Sequence, residues 1–148
     1  MPLVPEDFDV PLFLDSPPFY LEPAGPQHNQ DDHAAWTSSI EHIHATPGFT
    51  ERGWPPVDSM SPGANRQDLT ELAADFAARE GFTYTVLHSE TRIVIGSVGI
   101  LPRKDGVEGA AVRSWVCESQ AALDKPLWRL VSEWLAGWPL ASVSYAAR

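Results

Sequence analysis

The chain has 148 residues, 43% hydrophobic and 20% charged, with a formal net charge of −10. That is enough chain for one domain with a sizeable core, and the composition excludes a disordered polymer. The single cysteine, Cys117, excludes an internal disulfide and a multi-cysteine zinc site.

No apolar run reaches the ~18 residues of a membrane span. Residues 1–15 contain no Lys or Arg, so they do not read as a secretory signal, and a cytoplasmic protein is expected. Residues 1–51 hold nine acidic residues and no Lys or Arg, whereas residues 52–148 hold eleven acidic and ten basic ones. A duplex-binding protein needs cations to displace counterions, so no nucleic-acid partner is expected. An anionic membrane surface is disfavoured on the same ground. A cationic small molecule or a basic protein suits the acidic third, and a solvated acidic face kept for solubility is the alternative.

Residues 1–18 carry five prolines and five apolar residues between 8 and 14, and read as an extended arm lying on the domain or on a neighbouring subunit. Phe19, Tyr20, Leu21 and Glu22 form a short strand. A helix is expected over 27–44, with Trp36, Ile40 and Ile43 on one face and Asp31 and Asp32 in its first turns. Residues 45–64 form a long loop rich in Pro and Gly; Phe49, Trp54 and Met60 suit it to a binding wall or lid. Leu69, Leu72, Ala73, Phe76 and Ala77 mark a second helix, with Asn65 and Asp68 as its cap and Gly81 as its terminator.

The period then changes from 3.6 to 2. Phe82, Tyr84 and Val86 alternate with Thr83, Thr85 and Leu87 in a strand. Residues 93–101 form a nearly all-apolar strand in which Gly96 and Gly99 mark bulges or close approach of another backbone. A connection containing Asp105 and Gly106 leads to a strand at 110–117. A third helix over 125–136 has Asp124 as N-cap, Leu127, Leu130, Val131, Trp134 and Leu135 as its stripe, and Gly137 as its end. The last strand is expected at 140–145. Trp36, Trp128 and Trp134 fall on helical apolar faces.

This order of elements resembles the first five strands and three helices of the GNAT superfamily of N-acetyltransferases, especially its RimJ/RimL-like branch, over residues 19–145. Three segments carry the resemblance. Residues 82–87 followed by Ile95, Gly96, Ser97, Val98 and Gly99 are similar to its paired central strands. Residues 112–116 are similar to its fourth strand, and residues 127–135 to the helix after it. The resemblance implies an α/β fold (an α+β sandwich) with a mostly antiparallel sheet flanked by helices, as a single domain over 19–148 after the arm. It also implies that the superfamily's C-terminal helix, with its thiolate-protonating tyrosine, and two further strands are missing here. The last strand would then be an open edge, covered by the arm or by a second copy in a homodimer.

By the same resemblance, acetyl-CoA would lie where the fourth and fifth strands splay apart. Trp115, Val116 and Cys117 stand on the cofactor strand, and Gln120, Ala122, Leu123 and Lys125 stand where the superfamily's pyrophosphate-binding glycine motif occurs. That stretch contains no glycine here, and Glu118 and Asp124 flank it. The implied reaction moves an acetyl group from acetyl-CoA to an amine of a small molecule or peptide. Glu41 and Glu108 are the candidate bases, and Trp36 and Trp54 are candidate substrate contacts. Two further readings stand beside it: a catalytically inactive protein of this fold that binds a cationic ligand or a protein partner, and chemistry independent of CoA in the same cleft. The five histidines have poor metal-ligand spacing, so no metal is expected. Cys117, without nearby cations, reads as a packed residue.

Overall fold

The structure is a computed structural model that describes residues 2–148. Six strands form one sheet in chain order: β1 (Leu14–Ser16), β2 (Phe19–Pro23), β3 (Phe82–His88), β4 (Val94–Pro102), β5 (Ala110–Val116) and β6 (Val143–Tyr145). All neighbouring pairs are antiparallel except β5 and β6, which run parallel. Helices α1 (Asn29–Thr37), α2 (Ile40–His44), α3 (Pro62–Ala77) and α4 (Asp124–Leu135) complete the α/β architecture expected from the sequence.

Alternation along β3 sorts its side chains between two layers. Thr83 and Thr85 face α1 and α3, while Tyr84 faces α4, where its ring lies 5.1 Å from that of Trp134. Trp134 stacks edge-on against Trp138, also at 5.1 Å. Trp138 is buried. It follows the glycine that ends the helical pattern, so no periodicity in the sequence marks it as core.

The arm packs on its own domain. Phe8 meets Trp138 at 5.3 Å, the Tyr84 hydroxyl donates to the Pro11 carbonyl at 2.7 Å, and Arg79 donates to the Pro5 and Phe8 carbonyls. The end of the arm, Leu14–Ser16, turns back as β1 and pairs with β2. Among the described residues no strand pairs with the outer edge of β6.

Several local expectations are corrected. The helix expected over 27–44 is a 3₁₀ turn, Pro26–His28, followed by α1 and α2 with a break at Ser38 and Ser39. There Thr37 and Ser38 return their hydroxyls to the carbonyls of His33 and Ala35, a competition that bends helices. Helix α3 begins at Pro62, inside the expected loop. Its cap is Ser61, whose hydroxyl accepts from the Ala64 N–H at 3.1 Å, and not Asn65.

Helix α3 ends in a Schellman turn. Arg79 sits at φ 59°, and the N–H groups of Arg79 and Glu80 return to the carbonyls of Phe76 and Asp75, so Gly81 is not the terminator. Asp124 lies inside the first turn of α4 and does not cap it. Residues 140–142 turn before β6 begins, so the last strand is shorter than expected. Gly96 is required, since a Cβ there would lie 2.2 Å from the Trp115 carbonyl oxygen; at Gly99 a Cβ would make only ordinary contacts.

Candidate functional site

A cavity of about 320 Å³ opens on the face of β3, β4 and β5 that α1 and α3 cover. Its floor is polar: Thr83 and Thr85 from β3 and Ser97 from β4. Thr85 is 1% exposed and Thr83 9%, and the Ser97 hydroxyl donates to the Tyr84 carbonyl at 3.4 Å. One wall is acidic. Asp68, Glu71 and Asp75 recur at helical spacing on α3, and Asp32 joins them from α1. The other wall comes from the loop before α3 and from β5, with Phe49, Arg52, Trp54, Arg113 and Trp115.

A buried network holds the acidic wall in place. Asn65, 4% exposed, accepts from the Trp36 indole N–H at 3.0 Å and donates to Asn29 at 2.9 Å and to Asp32 at 3.0 Å. It therefore ties α1 to α3 with its amide fully used. Burial raises Asp32 above the usual carboxylate range, opposed by the Asn65 hydrogen bond and by the charges of His28 and His33. Burial also raises Asp68, and the Glu71 charge adds to it. On the other wall, burial lowers Arg113 from the usual guanidinium value, and the charge of Arg52 lowers it further.

The loop is fastened by aromatic rings and histidines. Trp54 packs between Trp36 at 5.6 Å, Trp115 at 5.9 Å and Phe49 at 6.0 Å. A ring nitrogen of His33 pairs with the Met60 carbonyl at 2.7 Å, and one of His44 with the Pro55 carbonyl at 2.6 Å. Of the two tryptophans singled out as substrate contacts, Trp54 lines the cavity and Trp36 supports it from behind.

A second region lies where β5 and β6 part. The strands pair at Ala110–Val143, Ala111–Ser144 and Val112–Tyr145, and the pairing stops there while β5 runs on to Val116. The Arg148 side chain, 4% exposed, fills the gap. It donates to the Ser114 carbonyl at 2.7 Å and to the Asp124 carboxylate at 2.6 Å. The Tyr145 hydroxyl bonds to that of Ser114, and burial pushes its pKa up to about 12. The turn ahead of α4 is a 3₁₀ segment, Glu118–Leu123. Its first N–H, from Glu118, is taken by the Ser39 hydroxyl at 2.8 Å. The break between α1 and α2 therefore anchors this turn.

The expected cofactor residues divide between these regions. The Trp115 ring lines the cavity. Val116 is fully buried, and Cys117 is buried with its sulfur 3.4 Å from the Ser119 hydroxyl. Gln120, Ala122, Leu123 and Lys125 lie in or beside the 3₁₀ turn. Glu41 is exposed on α2 and Glu108 is exposed before β5, and neither lines the cavity. Asp32, Asn65, Asp68, Asp75, Arg52, Arg113 and the two threonines line the cavity without having been singled out for it. The spacing of 68, 71 and 75 along α3 was the signal available in the sequence for the acidic wall.

No family model and no curated protein matches the chain. Solved structures do. The ribosomal-protein-S5-alanine acetyltransferase from Vibrio fischeri aligns over 86% of this chain and 67% of its own, with a TM-score of 0.62 and 13% identity. RimL, the ribosomal L7/L12 α-N-protein acetyltransferase in complex with coenzyme A, aligns over 84% and 66%, with a TM-score of 0.60 and 15% identity. The microcin C7 self-immunity acetyltransferase MccE, in complex with acetyl-CoA and AMP, aligns over 83% and 66%, with a TM-score of 0.59 and 10% identity. The fold is the one these acetyltransferases share, and the chain spans about two thirds of the length of these structures. Its structural neighbours are acetyltransferases. Among the described residues, no helix is long and apolar enough to cross a membrane.

Proposed function

We propose that the protein recognises a small primary amine in the cavity between α1, α3 and the sheet. The observation that carries this reading is the set of four carboxylates, Asp32, Asp68, Glu71 and Asp75, around a floor of hydroxyl side chains. An ammonium group has three donors and no acceptor, so it needs just such acceptors. Asp32 is buried while Asp68 and Glu71 are exposed on α3, and a cleft wall of one charge sign draws cations to it. A volume of about 320 Å³ falls at the lower end of the range of small-molecule sites, roughly 300–1,000 Å³. We assign Asp32 to hold the ammonium, because it is the buried carboxylate and Asn65 fixes its position. A cytoplasmic location is proposed on the sequence reading alone.

The second reading is transfer of an acetyl group from acetyl-CoA to that amine, and the structural neighbours favour it. The residues at the β5–β6 gap do not fit the cofactor in this conformation. The Ser114 carbonyl, the strand's free acceptor there, is occupied by Arg148. The turn ahead of α4 has no glycine and carries Glu118 and Asp124 beside the position a pyrophosphate would need. No step is therefore derived through acetyl-CoA.

Thermal shift and calorimetry with a panel of primary amines, and separately with acetyl-CoA, test both readings. An amine at a hundred times its Kd is expected to stabilise the fold by ~2.7 kcal/mol, with no saturable acetyl-CoA binding at high micromolar concentration. A panel in which no amine stabilises the protein overturns the first reading. Saturable acetyl-CoA binding by the unaltered protein favours the second reading, and an acetylated amine product detected by mass spectrometry establishes it.

A further inference from the structure

We infer that the ligand of the cavity is zwitterionic: a small amine that also carries a carboxylate or a phosphate, with Arg52 and Arg113 as the groups that take its anion. This rests on the amine reading and adds a second recognition element to it. The chain has only ten Lys and Arg residues against twenty acids, yet two of the arginines converge on one cavity. Among the described residues, the arginine ion pairs are Arg103 with Asp105 and Arg148 with Asp124. Arg52 and Arg113 form none, although four carboxylates line the same cavity. A site built for a plain cation gains nothing from two unneutralised guanidinium groups, which repel it. A site for an anion needs them, and the planar fork suits carboxylate and phosphate oxygens equally.

Three further observations point the same way. The aliphatic stem of Arg113 runs beside Gly48, whose φ of 97° turns the loop there; a Cβ on Gly48 would lie 3.6 Å from the Arg113 Cγ. The stem is thus packed and the head is left to the cavity. The guanidinium of Arg113 is depressed by burial and, less, by the charge of Arg52. Finally, Thr83 and Thr85 lie in the floor, where their hydroxyls can bond to a polar ligand.

The two walls also set the ligand's direction. Asp32 stands on α1, which packs on β4, and Arg113 stands on β5, the neighbouring strand. The amine therefore points toward Asp32 and the anion toward β5.

The test is a matched panel read by thermal shift and calorimetry on the full chain. It contains the common α-amino acids and phosphoethanolamine, their counterparts lacking the anion, and their N-acetylated counterparts. At least one zwitterion is expected to bind ten times more tightly than its matched amine, and the carboxylate and phosphate arms identify which anion is preferred. Arg113→Met, which keeps an unbranched stem, and Arg52→Gln, at an exposed loop position, are each expected to remove most of that preference. Should Arg113→Met fail to fold, Arg52→Gln carries the test. Amines that bind as tightly with the anion as without it overturn the inference while leaving the amine reading in place, as does a preference that survives both substitutions. A panel in which no amine binds, with or without an anion, overturns both.

Discussion

The two faces of β5 present opposite situations. On one face Arg113 and Trp115 line an open cavity whose carboxylates and guanidinium groups are largely uncommitted. On the other, Ser114 is enclosed by Arg148, Tyr145 and Asp124, and its polar atoms are spoken for. Polar groups that are paired hold a fold together, while polar groups left unpaired in a concavity wait for a ligand. The uncommitted charged groups of the α1/α3 face make it the proposed binding face, whereas at the joint around the β5–β6 gap Arg148 occupies the Ser114 carbonyl while Asp124 Oδ1 and the Trp128 indole N–H stay buried without a partner among the described residues. By the resemblance the gap is the expected cofactor position, so on the proposed reading the amine site lies apart from it.

The comparison can be broken most strongly at the support of the cavity wall. Trp36 is fully buried and bonded to Asn65. Trp36→Ala is expected to cost about 3–5 kcal/mol of stability, read as a fall in the denaturant midpoint, and to loosen both the loop and α3.

The joint itself comes next. Arg148→Ala leaves the Asp124 carboxylate half-enclosed without its partner, at an expected cost of ~2–3 kcal/mol. It also frees the Ser114 carbonyl, so acetyl-CoA affinity is expected to rise at least tenfold over the unaltered protein by calorimetry. A cleft that was open all along would show no such gain.

Asp32→Asn sharpens the contrast between binding and stability. The amide can still accept from Asn65, and it removes a buried charge, so stability is expected to hold or to rise. Affinity for the amine is expected to fall tenfold or more, near the value of one charge-assisted hydrogen bond, ~1.5–3 kcal/mol. Equal losses of stability and affinity would make Asp32 a structural residue only.

The smallest effect concerns pH. Burial holds the Tyr145 phenol at about 12, against ~10 in an unfolded chain. The unfolded state therefore releases this proton first, so the contribution is complete below about pH 10 and is lost as pH climbs toward 12. Tyr145→Phe is expected to flatten that decline in denaturation measurements between pH 9 and pH 12.

Much of this architecture was legible in the chain. The switch from a 3.6-residue to a two-residue period at Phe82 marked where helices give way to the sheet, and the alternation of Thr83 and Thr85 with Tyr84 already separated a polar face from an apolar one. The boundaries depended on which signal was weighted. Ser61 ahead of Pro62 is a stronger helix start than Asn65, since Pro suits the first helical position and Ser the cap. The site was less legible because it is assembled from six separate segments, α1, the loop before α3, α3, β3, β4 and β5, and pairing decides function. Arg103 has a local partner in Asp105 two residues away, whereas nothing local shows that Arg113 shares a cavity with the carboxylates of α3 and pairs with none of them. Nor does position 148 announce that its side chain reaches Ser114 and Asp124.

The most direct measurement follows the indole N–H signals of the six tryptophans by NMR during two titrations, one with the tightest-binding amine and one with acetyl-CoA. Trp54 and Trp115 border the cavity, and Trp128 lies against Tyr145 at the joint. Saturable shifts at Trp54 and Trp115 with the amine, and no saturable shift at Trp128 with acetyl-CoA, are the predicted result. A saturable shift at Trp128 with acetyl-CoA, alongside silent Trp54 and Trp115 during the amine titration, would contradict the account.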